Sequence, residues 1–346
     1  MSIKVLLDTS PLSNGNSLRG VGAYTRALHT ELAKLKNIEL LESIPSNDRV
    51  SLQHYPYFDL FFPTLPLRQK NPYLITIHDV IPLLYPDHYP VGIRGRAHLL
   101  RQTFLARNAT AIITDSLASK ADIVEKLGIS EHKIHVIYLA GNPEITAATP
   151  KMQKAVVEKY HLPEQYLTYL GDINYNKNVP QLIKALKYLP DELHLVCIGK
   201  SFHKQEIPEW KAIELQLALS DVSHRVIFIN DIATDGSDDI SAILSGSLAY
   251  VQPSLYEGFG LPVLEAMQCK TPVVCSRTSS LIEVADEHAV LTGTLAEELA
   301  QGVKKVTELS ATKRSDITSK AFNYAQKFTW QKTAKQTAAI YEMVAS

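Results

Sequence analysis

The residues best suited to chemistry lie at 253–267, directly after an apolar run that is typical of a strand. Two glutamates, Glu257 and Glu265, flank the glycine-rich segment Gly258-Phe259-Gly260-Leu261. Pro262 favours a helix start there, and the free amides and dipole of a helix start attract anions. The pattern favours a diphosphate held between two hydroxyl-bearing groups, a ribose and a sugar. The alternative is a helix-terminal charge and a surface glutamate without a ligand.

A second glycine pair, Gly20 and Gly22, stands in Arg19-Gly20-Val21-Gly22-Ala23-Tyr24, between a predicted strand at 3–7 and a predicted helix at 23–36. Such glycines let a backbone approach a phosphate or a sugar closely. The motif is half of a dinucleotide fingerprint, because Thr25 occupies the third glycine position. Glu39 or Glu42 would supply the acidic partner of that fingerprint, and a flexible turn is the alternative.

Two strand ends carry further polar candidates. His78 follows the predicted strand at 73–77, where a histidine can donate to a sugar hydroxyl, take part in proton transfer or stabilise a turn. Lys177 follows the predicted strand at 166–170, where a lysine can neutralise phosphate or remain a solvated surface residue. Lys200 lies in Gly199-Lys200-Ser201, which is not a P-loop because His194 stands where that motif requires glycine.

Four arginines lie in a stretch that contains no acidic residue between Asp87 and Asp115. Ile93, Ala97, Leu100 and Phe104 share one predicted helix face there. This face would suit an anionic lipid surface or a phosphorylated acceptor, and a solvated basic helix is the alternative. The arginines are Arg94, Arg96, Arg101 and Arg107.

Strand-like runs alternate with helical segments along the chain, which predicts two doubly wound α/β domains that face a cleft. A proline-bearing stretch at 141–151 is typical of a linker. The predicted domains are residues 1–145 and 146–326, and the terminal helical stretch at 327–346 is predicted to cross back to the first domain.

The composition of the chain excludes several classes of protein. Its 346 residues suit two domains, and 45% hydrophobic residues with a net charge of -1 are typical of a globular protein rather than a nucleic-acid binder. No apolar run reaches the ~18 residues of a membrane-spanning helix. The three cysteines lack metal or disulfide spacing, which predicts buried thiols in the cytoplasm. No D-x-D pair is present to suggest a metal-bound diphosphate.

The two-glutamate stretch, followed by Thr271-Pro272-Val273-Val274, closely resembles the retaining glycosyltransferases of family 4. Gly20 to Tyr24 resembles the G-x-G-x-Y loop of that family, and His78-Asp79 resembles the corresponding pair in its mannosyltransferase-like members. Trp330 matches a tryptophan that is frequent in the last helix of the family. The resemblance extends over nearly the whole chain and implies the GT-B fold, with two Rossmann-like domains.

The resemblance also implies a role for each motif. Glu265 would bind the ribose, Glu257 would contact the transferred sugar near its reacting carbon, and Lys177 would neutralise the leaving group. Gly20 and Gly22 would allow the first domain to close over the phosphates, and His78 would meet the sugar from that domain. The diphosphate is expected on the amides around Gly260 and Leu261.

Two positions depart from the pattern of the family. Asp172 stands where many relatives carry an arginine, and Asn176 stands where another subset does. Phosphate neutralisation would therefore rest on Lys177, the helix amides, and Lys200 or an arginine from elsewhere. A weaker donor site or a catalytically impaired protein that binds a nucleotide sugar or a glycan therefore remains open.

The expected activity is metal-independent hexosyl transfer from a nucleotide-diphosphate sugar, with GDP-mannose favoured, to a glycan or lipid-linked acceptor. No cofactor is expected. The arginine-rich face would hold the protein peripherally at the inner face of the membrane. A glycosidase that uses both glutamates is a second alternative, and a dinucleotide oxidoreductase is the least favoured.

Overall fold

The computed structural model describes residues 2–13, 15, 20–41, 50–232 and 237–345, so Arg19 and Glu42 lie outside the described residues. The chain divides into two compact units. The first unit comprises Met1–Ala140 together with Phe328–Ser346, and the second comprises Gly141–Lys327. The boundaries predicted from the sequence lie within a few residues of these divisions.

Each unit is built on a six-stranded sheet whose described strand pairs are all parallel. Four interior strands, two in each sheet, are buried along their whole length, as expected when helices cover both faces of a sheet. The strands of the first unit are β1 (Ile3–Leu7), β2 (Ile38–Leu41), β3 (Leu52–Tyr55), β4 (Tyr73–Thr76), β5 (Ala111–Thr114) and β6 (Ile134–Val136). Those of the second are β7 (Tyr166–Leu170), β8 (His194–Ile198), β9 (Val226–Ile229), β10 (Ala249–Gln252), β11 (Val273–Ser276) and β12 (Val290–Thr292).

Helices connect the strands in both units. The first unit contains α1 (Gly20–Leu32), α2 (Ile81–Leu84), α3 (Ile93–Arg107) and α4 (Leu117–Leu127). The second contains α5 (Pro150–Tyr160), α6 (Val179–Ala185), α7 (Pro208–Ser220), α8 (Ser237–Gly246), α9 (Leu261–Gln268), α10 (Ser279–Ala285), α11 (Ala296–Thr307) and α12 (Ala311–Ala325). The last helix, α13 (Trp330–Ala345), belongs to the first unit.

The sheet of the second unit has the strand order β12-β11-β10-β7-β8-β9. The chain therefore starts in the middle of the sheet at β7, builds outwards to β9, and returns to β10 on the other side of β7. This is the doubly wound order with a topological switch point between β7 and β10. Ligands of such sheets bind beside the carboxyl ends of the strands at that point.

The sheet of the first unit has the order β2-β1-β3-β4-β5-β6. Its register aligns Thr76 at the end of β4 with Ile113 near the end of β5. The residues that follow these two neighbouring strands therefore emerge side by side at one edge of the sheet.

Helix α13 packs on α1 and on the strands of the first unit through a face of small residues and tyrosine. Thr333 donates to the carbonyl of Tyr138 at 2.8 Å, and Tyr341 is fully buried. The ring of Trp330, at the start of the helix, lies 6.1 Å from that of Tyr24 in α1. The C-terminal segment thus belongs to the core of the first unit.

Two sequence-based expectations are wrong in detail. Helix α1 begins at Gly20 and ends at Leu32, whereas the sequence predicted a helix over 23–36, so the glycine pair lies in the first helical turn. Strands β2, β3 and β12 were not predicted. Hydrophobic periodicity did not predict β3, because its sequence Leu-Gln-His-Tyr contains the polar His54. In the structure this histidine is fully buried and pairs with polar side chains.

Candidate active site

Lys177 and Glu257 form the central ion pair of the second unit. The lysine Nζ lies 2.9 Å from Oε1 and 2.8 Å from Oε2 of the glutamate. Lys177 ends a short turn after β7, and Glu257 lies in the loop after β10. The pair therefore occupies the topological switch point, where neighbouring strands separate and a doubly wound sheet binds its ligands.

Two further donors and one acceptor set the orientation of Glu257, which is only 6% exposed. Gln252 Nε2 and Ser254 Oγ both donate to Oε1, at 2.9 and 2.7 Å. The Glu257 amide donates to the Ser279 hydroxyl at 2.8 Å. These supporting residues could not be predicted from the sequence, because an isolated glutamine or serine forms no recognisable pattern.

Asn176 joins the lysine turn to the glutamate loop. The buried side-chain amide of Asn176 donates to the backbone carbonyl of Tyr256 at 2.9 Å. The backbone carbonyl of Asn176 accepts from the amide of Leu255 at 2.7 Å. The residue that replaces the family's arginine thus has a structural role here. It fixes the spacing between Lys177 and Glu257.

The glycine-rich segment leads into the start of helix α9. Gly260 has φ +107°, a conformation that favours glycine, and Leu261 begins the helix. The Ser280 hydroxyl lies 2.8 Å from the carbonyls of both Glu257 and Phe259, so the loop is fixed from the side of α10. The amides at the start of α9 belong to a helix of eight residues whose dipole favours an anion. Gly258 lies in this same loop.

Glu265 lies one turn into α9, where burial raises its pKa from 4.5 to about 7. The backbone amide of Asn142 donates to Oε1 at 3.2 Å, which opposes this effect. Its place one turn beyond the free amides separates this carboxylate from an anion at the helix start. Because the Glu265 carboxyl can be either protonated or ionised near pH 7, it is suited to hydrogen bonds with hydroxyl groups.

Two other predicted positions lie at the same edge of the sheet. Lys200 is exposed immediately after β8. Asp172 is also exposed, and its carboxylate accepts from the amide of Ile173 at 2.8 Å. The structure thus brings Lys177 and Glu257 into direct contact.

In the first unit, His78 pairs with Asp115, a residue that no sequence motif predicted to belong to the site. His78 Nδ1 lies 2.7 Å from Asp115 Oδ2, and both residues directly follow neighbouring parallel strands. The charge of Asp115 and its hydrogen bond raise the pKa of His78 above the ordinary histidine value, although burial acts in the opposite direction. The adjacency of β4 and β5 is the signal that would have identified Asp115.

Gly20 and Gly22 lie in the first turn of α1, and Gly20 is exposed. A β-carbon added at Gly20 would meet no atom within 4 Å. Tyr24 of the same motif is buried, and its ring meets the edge of His78 at 4.8 Å. The motif therefore supports the histidine from inside the unit.

The four arginines of the predicted basic face have different roles in the structure. Arg94 and Arg96 are exposed on α3. Arg101 donates to the carbonyl of Leu65 at 2.7 Å, and Arg107 donates to the carbonyl of Leu127 at 2.7 Å. Arg101 is half-buried and Arg107 is exposed. These two cations also stabilise the unit through backbone carbonyls, and contact of the four arginines with a membrane stays a prediction.

The described part of the chain contains no helix that is both long and apolar enough to cross a bilayer. Within the same residues, no group of three or more His, Cys, Asp or Glu side chains is arranged to hold a metal ion. The three cysteines are buried as free thiols, as predicted.

Two family models match the chain, one in each unit. Residues 19–144 match the model described as Glycosyltransferase Family 4, and residues 153–324 match Glycosyl transferases group 1. The chain is a family 4 glycosyltransferase. The matches include the glycine motif and His78 in the first unit, and Lys177, Glu257 and Glu265 in the second.

Relatives of this glycosyltransferase include several mannosyltransferases. O-antigen chain mannosyltransferase B of Escherichia coli is 26% identical over 280 residues, which are 78% of this chain and 70% of that protein. O-antigen chain mannosyltransferase RfbU of Salmonella typhimurium is 27% identical over 267 residues, which are 77% of this chain and 67% of that protein. WbdA of Escherichia coli is 29% identical over 261 residues, but the match spans 74% of this chain and only 32% of WbdA.

Solved structures show the same GT-B fold. HepE of Anabaena, in complex with UDP and glucose, has a TM-score of 0.75 and 17% identity, and the match covers 99% of this glycosyltransferase and 100% of HepE. Sucrose-phosphate synthase of Thermosynechococcus elongatus has a TM-score of 0.76 and 18% identity, and the match covers 99% of both chains. At these identities the likeness establishes the fold alone.

Proposed function

We propose that this glycosyltransferase transfers a hexose, with mannose favoured, from a nucleotide-diphosphate sugar to a glycan or lipid-linked acceptor, with retention and without a metal. GDP-mannose is the favoured donor. The mannosyltransferase relatives support this choice of sugar. The proposal rests above all on the ion pair between Lys177 and Glu257 at the switch point of the second unit.

Each ligand group has a matching protein group in this proposal. The diphosphate binds the amides of the loop Gly258 to Leu261 at the start of α9, with Lys177 and Lys200 as cations and Gly20 and Gly22 as further backbone contacts. Glu265 accepts hydrogen bonds from the ribose hydroxyls. Glu257 and His78 contact the transferred sugar.

The chemistry depends on stabilising the leaving diphosphate. As the bond between the anomeric carbon and the phosphate oxygen breaks, Lys177 and the helix amides meet the developing negative charge. The departing phosphate oxygen accepts the proton of the acceptor hydroxyl, whose oxygen forms the new bond on the same face of the sugar. The products are the glycoside and a nucleoside diphosphate, so the atoms balance without a metal in the step.

Glu257 acts as a fixed anion in this scheme and not as a nucleophile. Its Oε1 already accepts three hydrogen bonds, from Lys177, Gln252 and Ser254. Such a carboxylate is well oriented to stabilise an oxocarbenium-like sugar by charge, and the lysine stays close to the phosphate that leaves.

The exposed face of α3 is proposed to contact an anionic membrane surface on the cytoplasmic side. Ile93, Leu100 and Phe104 are 89%, 75% and 66% exposed, with Arg94 and Arg96 exposed beside them. Exposed apolar side chains flanked by arginines suit the boundary between lipid headgroups and acyl chains. A lipid-linked acceptor would be met at that surface.

Transfer assays on two variants test the proposal. Lys177→Ala and Glu257→Gln should each lower transfer from GDP-mannose by roughly 100-fold or more, the loss typical of removing one group that stabilises a transition-state charge. Lys159→Ala is the matched control, because Lys159 forms a 2.7 Å surface ion pair with Asp239 in the same unit. Undiminished transfer by either site variant would overturn the assigned roles.

A panel of donors separates the alternatives. Thermal shifts with GDP-mannose, UDP-glucose and other nucleotide sugars identify the donor, because a ligand that binds only the folded state raises its stability. Nucleotide binding without transfer would favour a catalytically impaired binding protein. Release of sugar from a glycoside without any nucleotide would favour a glycosidase, which needs two carboxylates around the glycosidic bond.

A further inference from the structure

Asp115 forms a buried ion pair with His78 at the edge of the sheet of the first unit. The two side chains lie 2.7 Å apart, and they are 4% and 18% exposed. Asp115 Oδ1 has no hydrogen-bond partner among the described residues, so this carboxylate is directed almost wholly at the histidine. Burying such a pair is costly, and losing one partner would leave an uncompensated charge.

Tyr24 holds the other side of the His78 ring. The two rings meet edge to face, with centroids 4.8 Å apart and planes at 87°. The Tyr24 hydroxyl lies 3.1 Å from Thr76 Oγ1, which is 2.9 Å from His54 Nε2. His54 Nδ1 in turn lies 2.6 Å from the hydroxyl of Tyr341 in α13. This chain of four buried polar groups holds Tyr24 in place against the histidine.

The charged groups around His78 all favour its protonated form. Burial lowers the pKa of His78, but the charge of Asp115, their hydrogen bond and the charge of Asp79 outweigh it and raise the pKa above its usual value. His54 adds no competing positive charge, because burial lowers its pKa to about 3. Burial raises the pKa of Tyr24, which stays a neutral phenol.

We propose that Asp115 is a positioning residue that fixes His78 as a protonated hydrogen-bond donor, with Nδ1–H on the carboxylate and Nε2–H reserved for an oxygen of the sugar substrate. The Pro56 carbonyl also favours the protonated ring, although Nε2 makes no well-formed hydrogen bond within the described residues. The proposal rests on the proposed function for the identity of the ligand. It assigns His78 a fixed positive charge and excludes it as a general base.

Nitrogen-15 NMR of the imidazole groups tests the charge directly, with His78→Gln to assign the signal. In the wild type, the titration midpoint of His78 should lie above the ordinary histidine value, because the charge of Asp115 and their hydrogen bond outweigh the effect of burial. In Asp115→Asn, which keeps the shape of the side chain and removes its charge, the titration midpoint should fall by about 1–3 pH units, as for the loss of a neighbouring charge. A wild-type midpoint at or below the ordinary histidine value, or an unchanged midpoint in the variant, would overturn the proposal.

Kinetics provide a second readout. Asp115→Asn should lower kcat with little change in KM for the nucleotide sugar, and the alkaline limb of its pH–rate profile should move to lower pH. Asp115→Glu should recover part of the activity, which a purely structural role would not predict. The NMR measurement needs no turnover, so failure to transfer any sugar would contradict the proposed function and leave the assignment of Asp115 standing.

Discussion

At the scale of single residues, the buried carboxyl of Glu265 is expected to make nucleotide binding depend on pH. Burial raises its pKa from 4.5 to about 7, so the free protein holds this group protonated in mildly acidic solution. A carboxyl pKa raised by folding favours the folded state below pH 4.5, and that contribution is lost as pH rises towards 7. Hydroxyl donors from a ribose would favour the ionised form and lower the pKa again.

Binding of the nucleoside diphosphate should therefore release a proton, and affinity should rise as pH increases through about 7. Calorimetry at pH 6.5 in two buffers of different ionisation enthalpy measures this release. Glu265→Gln should abolish the buffer dependence, whereas Glu206→Gln, at an exposed position of the same unit, should retain it. Equal enthalpies in both buffers for the wild type would contradict the assignment of Glu265 to the ribose.

At the scale of elements, the start of helix α9 depends on the backbone of Gly260. Its φ of +107° lies in a region that side chains disfavour, and a β-carbon there would come within 2.9 Å of Leu281 Cδ2. The residue turns the loop so that the amides of Gly260 and Leu261 end at the helix start. Any side chain must therefore strain the loop or move α10.

Gly260→Ala should lower the free energy of unfolding by about 1–3 kcal/mol and weaken nucleotide binding, because strain of this kind changes the direction of the amides. Urea unfolding and calorimetry measure the two effects. Gly92→Ala is the control, since Gly92 has φ -69° and a β-carbon there meets no atom within 4 Å. Wild-type nucleotide affinity in Gly260→Ala would show that these amides do not bind the diphosphate.

At the scale of the whole molecule, the first unit combines a buried polar centre around His78 with an exposed apolar and basic surface on α3. Phe62 and Leu67, 68% and 70% exposed, extend this surface from a segment that Arg101 ties to α3. Arg101 thus holds this segment against the helix on which Arg94 and Arg96 are exposed. Arginines near an anionic bilayer contribute about 1 kcal/mol each.

Arg94→Glu combined with Arg96→Glu should reduce binding to vesicles containing phosphatidylglycerol by at least about tenfold, because two attractive charges become repulsive. Wild-type binding should also weaken as salt is added. Lys332→Glu with Lys335→Glu is the control, since it makes the same charge change on the exposed side of α13. Equal vesicle binding by the two double variants would contradict a contact through α3.

The sequence by itself determined the alternation of strands and helices and the segments after strands that carry His78, Lys177 and the two glutamates. These features are local, because hydrophobic periodicity and glycine or proline positions act within a few residues. The short strand β3 was not predicted from this periodicity, because its polar residue His54 is buried against partners from distant segments of the chain. Arg101 and Arg107 likewise look equivalent to Arg94 and Arg96 in the sequence.

The tertiary structure alone decided which of these residues meet. Lys177 and Glu257 are 80 positions apart in the chain, and they touch because β7 and β10 are neighbours in the sheet. His78 and Asp115 are 37 positions apart and meet because β4 pairs with β5. Strand order results from the packing of distant segments, which a local pattern does not encode. The sequence therefore specified most of the candidate groups, and the order of the strands decided which of them form pairs.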